Sequence, residues 1–570
     1  MTKKPTDRTA MQFLDARRLT GPSLLFDGPA AILDIECTRE EADKIAPVWE
    51  AQVARMTGAL GWPAPDYSRK DLEGGVSFAF TVAIDRLYAA SELNEWAWAV
   101  IDAEFNGAER PAFDEARAAL TASAAEESNA ALIELQDRAR EHGVTFLWDD
   151  DEVSLGLGRT SQTWPARELP DPDSLDWDGY EDVPIGLVTG TNGKTTTVRL
   201  VDHILRGADL NVGLSSTDWI AVNDRIIDRG DWSGPGGARA VLRESDVDVG
   251  VLESARGGLL RRGLGVDRAT ASLITNISED HLGDFGSHNL DELLDVKWIV
   301  SRAVREEGTL ILNADDHRLV RKAAEHPGRI CWFSLEAGSP VAAAQAESGG
   351  LLFVLNDGHL EKIENGDREL ICRDSDIPIT MGGAAHHNTA NALAAAAMSW
   401  CLGVPIAQIR EGLVTMSQDD NPGRCNIYDV DGCKVLIDFA HNPAAMGALF
   451  DMARALPAKR RALCFGQAGD RPDDLIRELA RDAWEIGLDL VVVSELEKYH
   501  RGREHGDVYR LIRDELVRIG AEPAQVEHHE QETESLAAAM AWAEPGDLVI
   551  MLALGGAAPI QEQLRRLGAR

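Results

Sequence analysis

The sequence predicts an α/β protein with an N-terminal α+β domain, a central parallel α/β domain and a C-terminal Rossmann-like α/β domain. Three observations predict this fold class. A chain of 570 residues, 44% of them hydrophobic, is long enough to bury several cores. Across residues 183–570, short apolar runs alternate with helical stretches, which is typical of parallel sheets. A segment rich in proline and aspartate separates those residues from the first 165.

The N-terminal domain is predicted to span residues 1–165. Strand-like runs at 30–35 and 76–82 are followed by an Ala/Glu-rich helical stretch at 113–142. This region contains no motif that indicates catalysis. Residues 166–182 form the acidic, proline-rich linker, which predicts an extended domain boundary.

Two α/β domains are predicted after the linker, at residues 183–418 and 419–570. The strands predicted for the central domain are 185–189, 249–252, 271–275 and 309–312. The strands predicted for the smaller C-terminal domain are 435–437, 461–465, 490–493 and 548–552. Because β-strands and helices alternate in both, each sheet is expected to be mostly parallel.

The charge and cysteine content limit the class of protein. The 95 acidic residues against 57 basic ones give a net charge of −38, which disfavours binding to nucleic acid or an anionic membrane. Seven scattered cysteines without a CxxC pair favour reduced thiols over disulfides or a zinc knuckle. Since the sequence has neither a signal peptide nor an apolar run of membrane-spanning length, we expect a soluble, cytoplasmic protein.

A strand, a tight glycine turn and a helix follow one another at residues 185–206. The turn reads Gly190-Thr191-Asn192-Gly193-Lys194-Thr195-Thr196-Thr197. Backbone N–H groups and the positive end of the helix dipole favour a phosphate there. Lys194 is expected to reach the β- and γ-phosphates and the Thr195 hydroxyl to ligate Mg²⁺. The common GxxxxGK[ST] spacing would start at Val188, so an ordinary glycine turn is the alternative to a P-loop-type ATPase domain.

Two more polar groups follow predicted strands of the central domain. Glu253 comes directly after the strand 249–252, and a carboxylate at a strand end beside a phosphate loop is a natural Mg²⁺ ligand. A solvated acid is the alternative for Glu253. The stretch from Asn276 to His281 follows the strand 271–275, and Lys297 lies 16 residues after His281.

These motifs resemble those of the Mur ligase superfamily, whose ATP loop has the form GTNGKT. The resemblance implies that Glu253 and His281 hold two Mg²⁺ ions and that Lys297 is carbamylated, an unmodified surface lysine being the alternative. Catalytic roles are implied for Lys194, Glu253, His281 and Lys297. The ATP-binding residues implied in the loop are Thr191, Asn192, Gly193, Lys194, Thr195 and Thr196.

The resemblance extends to about residue 510. Asn388 and Asn391, in a segment similar to GxHNxxN, would contact adenine, with helix capping as the alternative for Asn388. In Pro422-Gly423-Arg424 the arginine would reach the phosphates, and Asp438, in Asp438-Phe439-Ala440-His441-Asn442-Pro443, would bind the ribose hydroxyls. Because Arg424 and Asp438 lie in a separate domain, the site is expected to close when ATP bridges the domains.

Within the superfamily the sequence resembles cyanophycin synthetase. The similar stretches are 216–218, 230–235, 252–261 and 501–503, with 18–23 and 149–158 in the N-terminal domain. The substrate-binding residues implied by the resemblance are Thr217, Asp218, Ser254, Arg256, His441 and Asn442. In cyanophycin synthetase an ATP-grasp domain follows the N-terminal domain, whereas here the linker leads straight into the Mur module. The resemblance therefore implies one of the two ligase activities.

The expected function is that of an ATP-dependent amide ligase. It would activate a carboxylate as an acyl phosphate and join it to an amino acid or amine, with cyanophycin-like Asp/Arg chemistry as one form. Its partners would be a small or peptide-like acid and an amine, and the resemblance allows a homo-oligomer. Two other classes stay open: a folylpolyglutamate- or peptidoglycan-type Mur ligase, and a non-catalytic nucleotide-binding scaffold.

Overall fold

The computed structural model describes residues 11–280 and 287–569 and divides the chain into two compact units. Unit 1 comprises Met1–Ile277, His281–Trp332 and Ala397–Pro405. Unit 2 comprises Ser278–Asp280, Phe333–Ala396 and Ile406–Arg570. The domain boundaries predicted at residues 165, 183 and 418 stay predictions.

The first part of unit 1, residues 11–182, contains two antiparallel sheets packed against helices. Its strands are β1 (Gln12–Leu19), β2 (Ala30–Glu36), β3 (Tyr67–Leu72), β4 (Gly75–Thr81), β5 (Phe146–Trp148), β6 (Glu152–Leu155) and β7 (Gln162–Pro165). Its helices are α1 (Arg39–Ala59), α2 (Leu87–Phe105), α3 (Phe113–Glu127) and α4 (Ala130–His142). The sheet β1-β2-β4-β3 packs on α1 and α2 around Trp49, Phe78 and Phe80, and β5-β6-β7 packs beside α4. This is the predicted α+β architecture.

The helical stretch predicted at 113–142 is interrupted, because α3 ends before Ser128 and α4 starts after Asn129. The Asn129 side chain accepts a hydrogen bond from Leu132 N at 3.1 Å and so caps α4. Its amide nitrogen also donates to Ala166 O at 2.7 Å. A helix could not continue through Asn129 and keep both bonds, so these local and tertiary contacts outweigh the helical propensity of the flanking alanines.

The second part of unit 1 is a mostly parallel sheet covered by helices. Its strands are β8 (Ile185–Thr189), β9 (Val212–Ser215), β10 (Trp219–Val222), β11 (Arg225–Arg229), β12 (Val249–Glu253), β13 (Ala269–Ile274) and β14 (Val304–Asn313). Its helices are α5 (Lys194–Gly207), α6 (Pro235–Leu242), α7 (Arg256–Arg262), α8 (Leu290–Trp298) and α9 (His317–Lys322). The strand order is β11-β10-β9-β12-β8-β13-β14, in which β9, β12, β8, β13 and β14 are parallel. Every residue of β8 and β12 is buried, as expected for central parallel strands.

Unit 2 contains three consecutive antiparallel strands and a mostly parallel sheet. Strand β15 (Arg329–Ser334) and helix α11 (His386–Cys401) each contain a point at which the chain passes between the units. The other strands are β16 (Leu352–Asn356), β17 (His359–Glu364), β18 (Asp367–Arg373), β19 (Asn426–Val430), β20 (Cys433–Asp438), β21 (Arg461–Phe465), β22 (Leu490–Ser494), β23 (Val526–His529) and β24 (Leu548–Leu552). The other helices are α10 (Pro340–Glu347), α12 (Ile406–Thr415), α13 (Pro443–Ala455), α14 (Asp473–Trp484), α15 (Asp507–Arg518), α16 (Glu532–Trp542) and α17 (Ala557–Arg566). In the order β19-β20-β24-β21-β22-β23 only β19 is antiparallel, which confirms the Rossmann-like prediction.

Among the residues that the structure describes, no helix combines the length and the apolar composition needed to cross a membrane.

Candidate active site

The predicted phosphate loop lies at the carboxyl edge of the central sheet of unit 1. It connects β8 to α5, and β8 lies between β12 and β13, so that the ends of three parallel strands meet there. Gly190 has φ +143°, and a Cβ on it would lie 1.8 Å from Thr275 Oγ1, just after β13. Only glycine therefore fits at the start of this loop.

Two residues after β13 fasten the loop backbone. Asn276 accepts from Thr191 N through its carbonyl oxygen at 2.9 Å and from Asn192 N through Oδ1 at 3.0 Å. Thr275 Oγ1 and Asn276 Nδ2 donate to Asn192 O at 2.6 and 3.1 Å. The sequence motifs had indicated no role for Thr275 or Asn276. Their position at the end of a strand in the same parallel sheet was the signal that could have found them.

Lys194 is the first residue of α5, and its ammonium is held over the loop. Its Nζ donates to Thr191 O at 2.9 Å. Within residues 11–280 and 287–569, no carboxylate forms an ion pair with it. The Lys194 charge is therefore available to an anionic ligand at the helix N-terminus, as the loop motif predicted.

Glu253 ends β12, and its carboxylate is buried with 2% of its surface exposed. It accepts from Thr195 Oγ1 at 3.1 and 3.3 Å, from Thr217 Oγ1 at 2.7 Å and from Thr217 N at 3.2 Å. No lysine, arginine or histidine in the described part of the chain forms an ion pair with it. Thr217, which the resemblance assigned to substrate, is thus a hydrogen-bond partner of the predicted metal ligand.

These contacts fit a hard divalent cation. A buried carboxylate without a cationic partner is costly, and a Mg²⁺ ion would remove that cost. Glu253 and the Thr195 hydroxyl would hold the ion, which characteristically completes its shell with phosphate oxygens and water. The described residues contain no group of three or more His, Cys, Asp or Glu side chains arranged for a metal. His281, the predicted ligand of a second ion, lies outside the described residues.

Lys297 lies on α8 and is buried, with 3% exposed. Its Nζ donates to Gly190 O at 2.7 Å, which brings the side chain to the first residue of the phosphate loop. The alternative of an ordinary surface lysine does not agree with this burial. Carbamylation of Lys297 stays a prediction.

The other candidate substrate residues of unit 1 lie around the same strand ends. Ser254 lines a small cavity together with Glu253 and Ser233. Arg256 is the first residue of α7, and its Nη1 donates to Ser287 Oγ at 2.9 Å. Asp218 forms an ion pair with Arg199 on α5.

In unit 2, Asp438 ends β20, and hydrogen bonds fix both of its carboxylate oxygens. Oδ1 accepts from Ala440 N at 2.7 Å, while Oδ2 accepts from Cys425 N at 2.8 Å and from the Cys425 thiol at 3.3 Å. Complete burial, reinforced by the Asp438 charge, raises the pKa of Cys425 well above its ordinary value, so the thiol keeps its proton and donates it. This role of Cys425 was not predicted from the sequence.

The remaining candidates of unit 2 have local partners. Asn388, the third residue of α11 and not its cap, donates to Ile379 O at 2.8 Å, and Asn391 Nδ2 donates to Asn388 Oδ1 at 3.2 Å. The Arg424 guanidinium lies 4.6 Å from the centre of the Phe439 ring. His441 Nδ1 lies 2.9 Å from Phe439 O. Asn442 is fully buried and caps α13 by accepting from Ala445 N at 2.9 Å.

Two protein families match most of this region. Residues 188–399 match the Mur ligase middle domain, and residues 423–555 match the Mur ligase glutamate ligase domain. A cyanophycin synthetase from Nostoc sp. is 36% identical over 372 residues, which are 65% of this chain and 41% of that protein. The chain thus spans less than half the length of this relative.

Alignments with relatives from the wider family cover a larger share of those proteins. The UDP-N-acetylmuramoyl-L-alanyl-D-glutamate–2,6-diaminopimelate ligase of Corynebacterium efficiens is 26% identical over 445 residues, or 74% of this chain and 80% of that protein. The solved structure of E. coli FolC in complex with DHPP and ADP has a TM-score of 0.50 and 19% identity. The match covers 67% of this chain and 89% of the FolC chain. At this level of identity it supports the fold alone. Through its middle and glutamate ligase domains, the chain belongs to the Mur ligase family.

Proposed function

We propose that the protein is an ATP-dependent amide ligase that activates a carboxylate and transfers it to an amine. The observation that carries the proposal is the pair of opposite charges at neighbouring strand ends of unit 1. Lys194 follows β8 and Glu253 ends β12, and neither forms an ion pair within the described residues. Such charges fit a ligand that brings both signs, as a nucleotide triphosphate with Mg²⁺ does.

The proposed reaction has two steps. A carboxylate oxygen of the acid attacks the γ-phosphorus of ATP, the bond to the β-phosphate oxygen breaks, and ADP leaves. The amine nitrogen then attacks the acyl carbon of the acyl phosphate, inorganic phosphate leaves, and the nitrogen loses a proton. Because charge spreads over the phosphoryl oxygens during the first step, fixed cations and positioning supply the acceleration.

Each residue of unit 1 has a role in this proposal. Lys194 binds the phosphates, and the loop 190–193, fastened by Thr275 and Asn276, turns its backbone toward them. Glu253 and Thr195 hold one Mg²⁺ ion, which when bound neutralises charge on the phosphates. A second ion at His281 and a carbamate on Lys297 belong to the proposal as well.

Unit 2 contributes nucleotide contacts in the proposal. Asp438, fixed by Cys425 and Ala440, binds the ribose hydroxyls, and Arg424 binds phosphate. Asn388 and Asn391 read the adenine edge. Each of these side chains has a partner within unit 2.

The acid and the amine are proposed from the similarity to cyanophycin synthetase. We infer an aspartyl carboxylate as the acid and arginine as the amine, with a folyl- or peptidoglycan-type acid as the second candidate. Glu495 is buried and follows β22 at the carboxyl edge of the unit 2 sheet, where its two carboxylate oxygens lie 3.0 and 2.8 Å from His500 Nε2 and His528 Nε2.

The proposal is tested with the purified full chain, ATP and Mg²⁺. Aspartate, aspartyl peptides, dihydropteroate and muramoyl peptides are paired with arginine, lysine, glutamate and diaminopimelate, and released phosphate and product mass are measured. We expect phosphate release that requires both an acid and an amine. Binding of ATP without turnover by any pair would favour the scaffold alternative and overturn the proposal.

A further inference from the structure

Helix α7 is too short to be stable on its own. It has seven residues and carries Gly257 and Gly258 in its first turn. Isolated helices of this length do not persist in water, and each glycine lowers the helical preference further. Since α7 begins three residues after Glu253, contacts that hold it in place also bear on the candidate active site.

The N-terminal part of unit 1 supplies those contacts at the C-terminal end of α7. Arg17 on β1 donates to Leu260 O through Nε and Nη2, both at 3.3 Å. Thr20 donates to Arg262 O through its backbone N at 2.8 Å and its hydroxyl at 3.3 Å. The last carbonyls of a helix have no partner within the helix, and a cation there opposes the helix dipole favourably.

The backbone at residues 21–22 and the backbone at residues 263–264, just after α7, meet without room for a side chain between them. A Cβ on Gly21 would lie 2.2 Å from Leu264 O, and one on Gly263 would lie 2.5 Å from Gly21 O. Leu264 N also donates to Pro22 O at 2.8 Å. Because backbone atoms are in direct contact, the end of α7 cannot shift without breaking hydrogen bonds to the N-terminal part.

The hairpin of β3 and β4 holds the second helix of the site, α8. Lys70 forms an ion pair with Asp295, and Glu73 N donates to Glu292 Oε1 at 2.8 Å. Asn289, which caps α8, donates to Glu73 Oε2 at 3.2 Å. Helix α8 carries Lys297, whose ammonium contacts the phosphate loop.

We propose that the N-terminal part of unit 1 is a positioning domain for the ligase site, acting through α7 and α8. The inference rests on the proposed function for its kinetic consequence. Arg17 and Lys70 are positioning residues: they contact the helices that carry Arg256 and Lys297 and leave nucleotide binding to the loop. This gives the α+β domain a role that its sequence, which lacks a catalytic motif, does not reveal.

Two variants of the full chain test the proposal. Arg17→Lys keeps a charge beside Asp34 but loses the paired N–H donors to Leu260 O. Lys70→Met removes the ion pair between the hairpin and α8 and leaves the two hydrogen bonds of Glu73 to that helix. Asp295 keeps Lys322 at 2.9 Å, so both variants are expected to fold. Hydrogen exchange should accelerate about tenfold in residues 256–262 for the first variant and 290–298 for the second. With the most active acid–amine pair, KM for the acid should rise about fivefold while KM for ATP stays within about twofold.

Arg159→Met is the matched control, since its pair with Asp248 at 3.1 Å joins the same two parts of unit 1 away from α7 and α8. The proposal is overturned if hydrogen exchange in α7 and α8 is no faster in Arg17→Lys and Lys70→Met than in this control. It is also overturned if the kinetic constants of these variants equal those of the control. If no acid–amine pair is turned over, the hydrogen exchange alone decides, so that failure of the proposed function is recognised separately.

Discussion

Two regions of unit 1 use charged side chains in opposite ways. At the carboxyl edge of the central sheet, Lys194 and Glu253 form no ion pair within the described residues. Between the N-terminal part and the central sheet, the charges are matched. Arg243 pairs with Asp149 at 2.6 Å and Glu152 at 3.1 Å, and Lys70 pairs with Asp295.

The difference separates a site from its support. A buried charge without a partner lowers the stability of the fold, and its presence points to a ligand that supplies the partner. A charge paired inside the fold stabilises the contact between two elements. Neutralising the first kind should therefore remove activity and leave the fold intact. Neutralising the second kind should weaken the contact between the two elements and change turnover far less.

The largest expected effect is that of Lys194→Ala. Loss of the ammonium at the start of α5 removes the fixed cation from the phosphates, and kcat/KM should fall by about 10³-fold. The melting temperature without ligand should stay close to wild type, because Lys194 has no ion pair to lose. Phosphate release is the measurement, and Lys44→Ala, which removes an exposed lysine on α1, is the control. Activity near wild type would contradict the role of the loop.

The next largest effect is expected for Glu253→Gln. The amide keeps the volume, and its single oxygen still accepts a hydrogen bond, but it removes the anionic ligand, so kcat should fall by about 10²-fold. The ligand-free protein should be as stable as wild type or more so, since a buried unpaired charge is removed. Phosphate release measures the change in kcat, and thermal shift with and without MgATP measures the change in stability, with the exposed Glu347→Gln as control. A destabilised ligand-free protein would show that Glu253 is structural.

The sequence predicted the charged residues at the strand ends better than it predicted the contacts that hold the surrounding helices in place. The strand–glycine–helix pattern at 185–206 locates Lys194 and Glu253 because strand ends in a parallel sheet meet at one edge. Local patterns carry no information on Arg17 and Leu260, which lie 243 residues apart. The break at Asn129 was missed for the same reason, since one of its partners, Ala166, is distant in sequence. Predicting the role of Cys425 would have required knowing that β20 ends beside it.

Arg243→Met tests the paired region and should affect stability without affecting chemistry. Burial alone would raise the pKa of Asp149, but Arg243 and backbone donors outweigh it and hold that pKa below its ordinary value. Loss of Arg243 should therefore cost about 2 kcal/mol at pH 7, measured as a lower urea midpoint. Turnover per folded molecule should stay within about twofold. The control is Arg225→Met, whose pair with Glu244 is more exposed and should cost less than about 1 kcal/mol.

The smallest effect is expected for Glu515→Gln in unit 2, a paired charge between α14 and α15. Hydrogen bonds from Arg518 chiefly, and from Arg481, outweigh the opposing effect of burial and lower the pKa of Glu515 to about 2. The unfolded glutamate titrates near pH 4.3, so the stabilisation, about 1 kcal/mol, is complete above roughly pH 5 and is lost as the pH falls toward about 2. Urea midpoints of wild type and variant should therefore differ at pH 7 and approach each other as the pH falls from about 5 toward about 2. A difference that stays constant across this range would mean that Glu515 stabilises the two helices by packing and not by its charge.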